Sequence, residues 1–280
     1  MDRIERYGVF AEHEIAPAEG RSIKQHEHPF YEVYFLVSGS RRYLMRHTVY
    51  DVTPGDLVLV PKRQLHRTVS TARTGYDRYV LYFSERQAER VASLLGEEDA
   101  TRLFECGCLS LPPAATSRLR TDMEAILGEL RSPDRLSEAL LTALLQSILT
   151  TALRHGVPKD GLSGEGADKV QHVAQYVFEH YAEDISLAKA ARMACLERTY
   201  FSRRFKQLTG FGFCEYLLRT RLLAARRLLT ESSLPLTRIA EACGFESANY
   251  FGDVFRRYEG CSPSAYRRAS TSPRKSPDFP

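Results

Sequence analysis

No run of uncharged apolar residues in this 280-residue chain is long enough to cross a bilayer, which excludes a membrane-spanning helix. The first ten residues, MDRIERYGVF, carry charge with no apolar core behind them. No secretory signal is therefore expected, and the protein is expected to stay in the cytoplasm, at the nucleoid. Cysteine is sparse: Cys106 and Cys108 form a C-x-C pair, while Cys195, Cys214, Cys243 and Cys261 are scattered. Without a C-x-x-C pair or zinc-finger spacing, neither a structural zinc nor a disulfide framework is expected, and the thiols read as small buried apolar groups. A large net charge is also missing, but the +4 present is unevenly spread. Residues 168–280 hold 18 Lys and Arg against 12 Asp and Glu, whereas residues 1–167 hold 21 against 23. A basic C-terminal part beside a slightly acidic N-terminal one points to a polyanion partner for the former.

What is present is a change of period along the chain. Short β-rich runs at Tyr31–Val37, Arg42–Met45, Leu57–Val60 and Arg78–Phe83 are separated by turn residues such as Ser38-Gly39-Ser40 and Thr53-Pro54-Gly55-Asp56. They predict a small β-barrel or sandwich over residues 1–112. After Pro112-Pro113 the period becomes helical. Leu119, Met123, Ile126, Leu127 and Leu130 stripe one helix; Leu140, Leu141, Leu144, Leu145, Ile148 and Leu149 stripe a second. The second stripe is wider than one partner helix needs. Residues 113–156 are therefore expected to pack as a hairpin on the barrel and to pair two subunits into a homodimer, with a purely intramolecular hairpin as the alternative. Residues 157–167, within the glycine-rich stretch HGVPKDGLSGEG, read as a flexible linker. Helical period fills 168–269, and residues 270–280 read as a disordered tail. The expected fold class is α+β and multidomain: an N-terminal barrel with a helical hairpin, then an all-α domain.

The strongest signal is an internal repeat in that second domain. Tyr200, Phe201, Phe205, Lys206, Gly210 and Tyr216 recur fifty residues later as Tyr250, Phe251, Phe255, Arg256, Gly260 and Tyr266. Leu187 and Ala191 match Leu236 and Ala240 at a spacing of forty-nine, so the extra residue falls in the turn between. Each unit reads as a short helix, a tight turn and a second helix ending near a glycine. Ser186 and Ser262 stand where N-caps belong. Phe201 with Phe205, and Phe251 with Phe255, give each second helix one buried face. In the first copy the opposite face presents Arg198, Thr199, Ser202, Arg203 and Lys206, a polar and basic surface suited to the DNA major groove. A long helix over Cys214–Thr230 would hold the two reading helices about one DNA turn, roughly 34 Å, apart.

The stretches TYFSRRFKQLTGFGFCEYLLRTRLLAARRLL and IAEACGFESANYFGDVFRRYEGCSPSAYRR carry a resemblance. Residues 168–268 resemble the DNA-binding domain of the AraC/XylS family of bacterial regulators. That resemblance implies two helix-turn-helix units joined by a long helix, promoter DNA and RNA polymerase as partners, and activation of transcription. Carried over by position, Thr199, Ser202 and Arg203 fall at base-facing sites; the Arg203 guanidinium can read guanine O6 and N7 with two hydrogen bonds. Arg198, Arg204 and Lys206 fall nearer phosphates or neighbouring acids. The second unit places Ala248, Asn249, Gly252 and Asp253 at the corresponding positions. Gly252 and Asp253 depart from the family's polar–basic pair, so the second unit is expected to discriminate bases less sharply, with Asn249 carrying most of its readout. Glu197 replaces the family's usual capping Ser, and a weaker start to that helix is expected.

His26, His28 and Glu32 form an H-x-H-x-x-x-E pattern, followed by Gly55-Asp56-Leu57, Pro61 and His66. This resembles the two motifs of cupin barrels, in which three His and one Glu can bind a metal, though the glycine expected between Pro61 and His66 is absent. Such a donor set suits Fe, Mn, Ni or Zn. The same four side chains are candidates for a divalent metal, the one cofactor the pattern suggests, for a polyhydroxylated effector such as a sugar or related metabolite, or for plain structural histidines. A ligand-responsive regulator, not an enzyme, is the leading reading. A metal-dependent cupin enzyme fused to a DNA-binding tail and an effector-independent architectural DNA binder are the alternatives.

Overall fold

Large apolar side chains on both faces of short strands build the N-terminal part, because every central strand there is covered twice. The computed structural model of the chain describes residues 2–17, 27–45, 48–64, 66–70, 75–105, 107–164 and 166–271. It divides into two compact units, residues 1–163 and 164–280.

The first unit contains β1 (Val9–Ala16), β2 (Tyr31–Ser38), β3 (Arg41–Met45), β4 (Thr48–Val52), β5 (Asp56–Val60), β6 (His66–Ser70), β7 (Tyr76–Phe83), β8 (Cys108–Ser110) and β9 (Val157–Pro158). One sheet runs β1-β7-β2-β5-β8-β9 and the other β4-β3-β6. The four runs seen in the sequence become β2, β3, β5 and β7. β1 escaped that reading because Glu12, His13 and Glu14 interrupt its apolar alternation, while Val9 and Ala11 are buried. Tyr34, Leu36, Val58, Val60 and Val80 of the larger sheet meet Tyr43 and Met45 of the smaller one. The opposite face of the larger sheet, with Val33, Phe35, Leu57, Leu59, Leu81 and Phe83, is covered by helices. All five residues of β5 are consequently buried.

Those helices are α1 (Asp2–Tyr7), α2 (Glu85–Leu95), α3 (Glu97–Glu105), α4 (Pro113–Arg131) and α5 (Ser137–His155). The first three correct the expectation that residues 1–112 are strands throughout. In α2 the buried Gln87, Ala88 and Val91 follow helical spacing, which a search for alternating apolar residues passes over. α4 and α5 form the expected hairpin. The wide stripe of α5 is used inside the chain, because this helix packs against α1, α2 and α3 as well as α4. Leu140 of α5 and Leu136 just before the helix stay well exposed, at 46% and 56%.

The segment read as a flexible linker is held over its first half. Val157 and Pro158 pair with β8, the Lys159 N–H donates to Cys108 O at 2.9 Å, and the Leu162 N–H donates to Val49 O at 2.6 Å. Lys159 Nζ also reaches the buried Asp56 at 2.5 Å. An open sheet edge supplies acceptors that the glycine-rich composition did not reveal.

The second unit is helical: α6 (Ala167–His180), α7 (Leu187–Met193), α8 (Arg198–Thr209), α9 (Phe213–Glu231), α10 (Leu236–Ala242), α11 (Ala248–Glu259) and α12 (Pro263–Thr271). Ser186 and Ser262 cap as expected, accepting from the Lys189 N–H at 3.1 Å and the Ala265 N–H at 3.2 Å. α9 packs against α6 and α8 in one repeat and against α10 and α12 in the other. Residues 272–280 of the tail lie outside the described residues. Among the described residues, no helix is long and apolar enough to cross a membrane.

Candidate functional site

Among the described residues, two places carry chemistry, one in each unit. In the second unit, α8 and α11 start and stop alike. Glu197 accepts from the Tyr200 N–H at 2.8 Å, and Ser247 accepts from the Tyr250 N–H at 3.2 Å. Both helices end on a left-handed glycine, Gly210 at φ 77° and Gly260 at φ 74°. The weak start expected from Glu197 is thus not what the structure has. Backbone N–H groups of Thr199 and Tyr200 bond the Glu197 carboxylate and hold it below the usual carboxylate range, and a negative charge suits a helix N-terminus.

The buried faces are pinned by aromatic pairs that the repeat preserves in space. Phe205 and Tyr216 stand 5.3 Å apart at 76°; Phe255 and Tyr266 stand 5.4 Å apart at 81°. Such edge-to-face packing fixes the rotation of each helix about its own axis. That rotation leaves Arg198, Thr199, Arg203 and Lys206 exposed and Ser202 half-buried on α8, with Asn249 and Asp253 exposed and Ala248 and Gly252 half-buried on α11. The Arg203 guanidinium lies 5.8 Å from the Tyr200 ring. Arg204 turns along its helix to Gln207 at 3.3 Å. On the connector α9, Arg221 Nε and Nη2 donate to the carbonyls of Tyr181 and Glu183, both at 2.8 Å, tying α9 to the end of α6.

In the first unit, His28, Glu32 and His66 converge between the sheets; all three are buried, with ligand atoms within 4.8 Å of one another. His26 lies outside the described residues. Glu32 Oε2 is 2.8 Å from His28 Nε2 and 3.3 Å from His66 Nε2, and Glu32 Oε1 accepts from the Tyr43 hydroxyl at 2.8 Å. Burial alone would raise the Glu32 carboxyl, but the charge of His66 and hydrogen bonds from both rings hold it well below its usual range.

The far nitrogens of both rings face carbonyls, His28 Nδ1 that of Phe30 at 2.9 Å and His66 Nδ1 that of Gln64 at 2.8 Å. A carbonyl only accepts, so each Nδ1 carries a hydrogen, and in a neutral ring Nε2 then offers its lone pair towards the carboxylate. Two imidazole lone pairs and a carboxylate aimed at one point need added protons or a cation. Backbone carbonyls fixing the outer nitrogens are what metal-binding histidines have, so these residues fit a divalent transition ion. Tyr43 was missed in the sequence. Its signal was the alternation of polar groups along the inward face, Glu32 and Tyr34 on β2, Arg41 and Tyr43 on β3, His66 and Thr68 on β6.

Comparison with known proteins follows the same division. Residues 11–149 match the family described as AraC-like ligand binding domain, and residues 190–269 match the one described as helix-turn-helix domain. An HTH-type transcriptional activator RhaR from Pectobacterium carotovorum is 30% identical over 253 residues, covering 87% of this chain and 85% of that protein. The HTH-type transcriptional activator RhaS of Escherichia fergusonii is 27% identical, with 87% of each covered. Among solved structures, the C-terminal domain of AraT, a response regulator from Geobacillus stearothermophilus, is 30% identical over 40% of this chain and 93% of its own, with a TM-score of 0.36.

Proposed function

The chain belongs to the AraC/XylS family of DNA-binding transcription regulators, and from that membership we propose that it activates promoters by reading DNA with α8 and α11 under control of a metabolite held between the sheets of the first unit. The observation that carries the reading is the matched pair of capped helices, each buried on its phenylalanine face and open on the other. Arg203 reads a guanine, Thr199 and Ser202 assist, and Arg198 and Lys206 meet phosphates. Asn249 is the principal reader of the second unit; Asp253 lowers that unit's affinity by facing phosphate.

The effector is a polyhydroxylated metabolite of the sugar class, contacted by His28, Glu32 and His66, with His26 as a further candidate. His28, Glu32 and His66 would hold a divalent ion, which would supply a Lewis-acidic anchor for effector oxygens. The protein turns over no substrate, works in the cytoplasm, contacts RNA polymerase, and dimerises through the α4–α5 hairpin, where Leu136 and Leu140 are exposed.

Footprinting the full chain on DNA upstream of its own and neighbouring genes tests the reading. Protection of adjacent major grooves on one side of the duplex, weakened by Arg203→Ala, is the expected result. Absence of specific protection at low salt, where phosphate contacts are strongest, would refute it.

A further inference from the structure

The space between the two sheets holds a second polar centre, whose charge has no counter-ion among the described residues. Arg41 on β3 is 0% exposed. Its Nη2 donates to Thr68 Oγ1 at 3.3 Å, and its Cζ lies 4.2 Å from the centre of the Tyr76 ring. Among the described residues, Nε and Nη1 of Arg41 have no hydrogen-bond partner, and neither does the hydroxyl of Tyr34, which is also 0% exposed. Among the described residues Arg41 forms no ion pair. Arg78 lies close by, 5.5 Å from the Tyr34 ring and 5.6 Å from the Tyr76 ring, but it is paired with Glu14. That pair is neutral overall, and its carboxylate is taken up by Arg78.

A guanidinium cannot escape burial by losing its proton. Left without an acceptor in a dry interior, it is costly, and the Tyr76 ring face compensates only part of that cost. A carboxylate can satisfy unmet guanidinium N–H donors and an unmet phenol O–H together. Resting on the reading of the first unit as the effector domain, we propose that Arg41 and Tyr34 bind the carboxylate of the effector, which is a small polyhydroxy acid and not a neutral sugar. Tyr34 and Glu32 lie two residues apart on β2, as Arg41 and Tyr43 do on β3, so each pair shares the inward face. Two residues of strand span roughly 7 Å, the length of a short carbon chain. A carboxylate on Arg41 and Tyr34 therefore sends the hydroxyl groups towards Tyr43, Glu32 and the two histidines.

The test uses the full chain with two matched pairs, D-gluconate with D-sorbitol and D-galactonate with D-galactitol. Each pair exchanges the carboxylate for a hydroxymethyl group, and chloride at equal ionic strength is the control. At least one acid is expected to raise Tm by about 2 °C or more at millimolar concentration, with its neutral counterpart inactive. The shift should vanish in Arg41→Met and shrink in Tyr34→Phe, which removes one hydroxyl and keeps the ring. Ligand-free Arg41→Met should melt at or above the wild type, because an uncompensated charge has gone.

Arg41→Met melting several degrees below the wild type, with neither acid shifting the wild type, would make Arg41 a structural residue and overturn the proposal. A shift with the polyols alone would overturn the carboxylate site and leave the effector reading standing. Acids that raise Tm through Arg41 without changing affinity for the footprinted DNA would keep the carboxylate site and overturn its role as effector site.

Discussion

Nε2 of His28 stands 2.8 Å from Oε2 of Glu32 while Nδ1 of the same ring faces the carbonyl of Phe30 at 2.9 Å. An imidazole between two acceptors carries two protons or gives one place to a metal ion, and His66 repeats the arrangement against Gln64 and the same carboxylate. Full-length protein from metal-replete medium should contain about one transition-metal ion per chain by elemental analysis, and Glu32→Gln or His66→Ala less than about a tenth of one. A wild type at or below that tenth, before any chelator is added, would leave a doubly protonated network in place of a metal site.

Arg203 and Lys206 share the exposed face of α8, yet they should fail differently. Arg203→Ala should cost about 1–3 kcal/mol at the cognate site and relax preference at one base pair. Lys206→Ala should weaken all sequences evenly and reduce the salt slope by about 1. Asp253→Asn should raise affinity for unrelated DNA, since it removes an exposed acid from the proposed reading face of α11. Quantitative binding at several salt concentrations separates the three; equal salt slopes for the two basic substitutions would contradict the assigned roles.

The Glu197 cap makes the first reading helix sensitive to acid. Bonds from the Thr199 and Tyr200 N–H groups lower its carboxyl from the ordinary 4.5, so the stabilisation is present above that pH and is lost as pH falls through the lowered value. Glu197→Ala should therefore melt below the wild type at neutral pH, with the gap closing in acid. Glu197→Ser keeps an acceptor that does not titrate, and should hold its helix with no such pH dependence. Thermal melts across that range check both.

The two helix-turn-helix turns reach a left-handed residue by different means. Gly244 has φ 76°, and a Cβ there would stand 2.6 Å from the carbonyl oxygen of Ala182; Cys195, at φ 51°, holds the same kind of conformation with a side chain. Gly244→Ala should destabilise the second unit by about 2 kcal/mol or more, from strain and overlap together. Cys195→Gly should be neutral or stabilising by up to about 1 kcal/mol, as the relieved strain is offset by a more flexible unfolded chain. Denaturant unfolding of the full chain measures both, and equal losses from the two substitutions would contradict this account.

The DNA-reading half is legible in the sequence because its information is local. Tyr, Phe and Gly at a fixed repeat specify a cap, a buried face and a stop within a dozen residues, and Phe205–Tyr216 and Phe255–Tyr266 then pack alike because the same spacing recurs. The effector half is legible only as a set of strands and a histidine pattern. His28 and Glu32 are near in sequence, but His66 on β6 and Tyr43 on β3, strands paired with each other, reach them from the sheet that faces theirs. Arg41 looks like any charged residue beside a turn, since nothing local distinguishes an outward arginine from an inward one. Helical period is written in neighbouring residues. Which strand faces which, and therefore which polar side chains meet between the sheets, is decided by pairings across dozens of residues that only the folded chain makes.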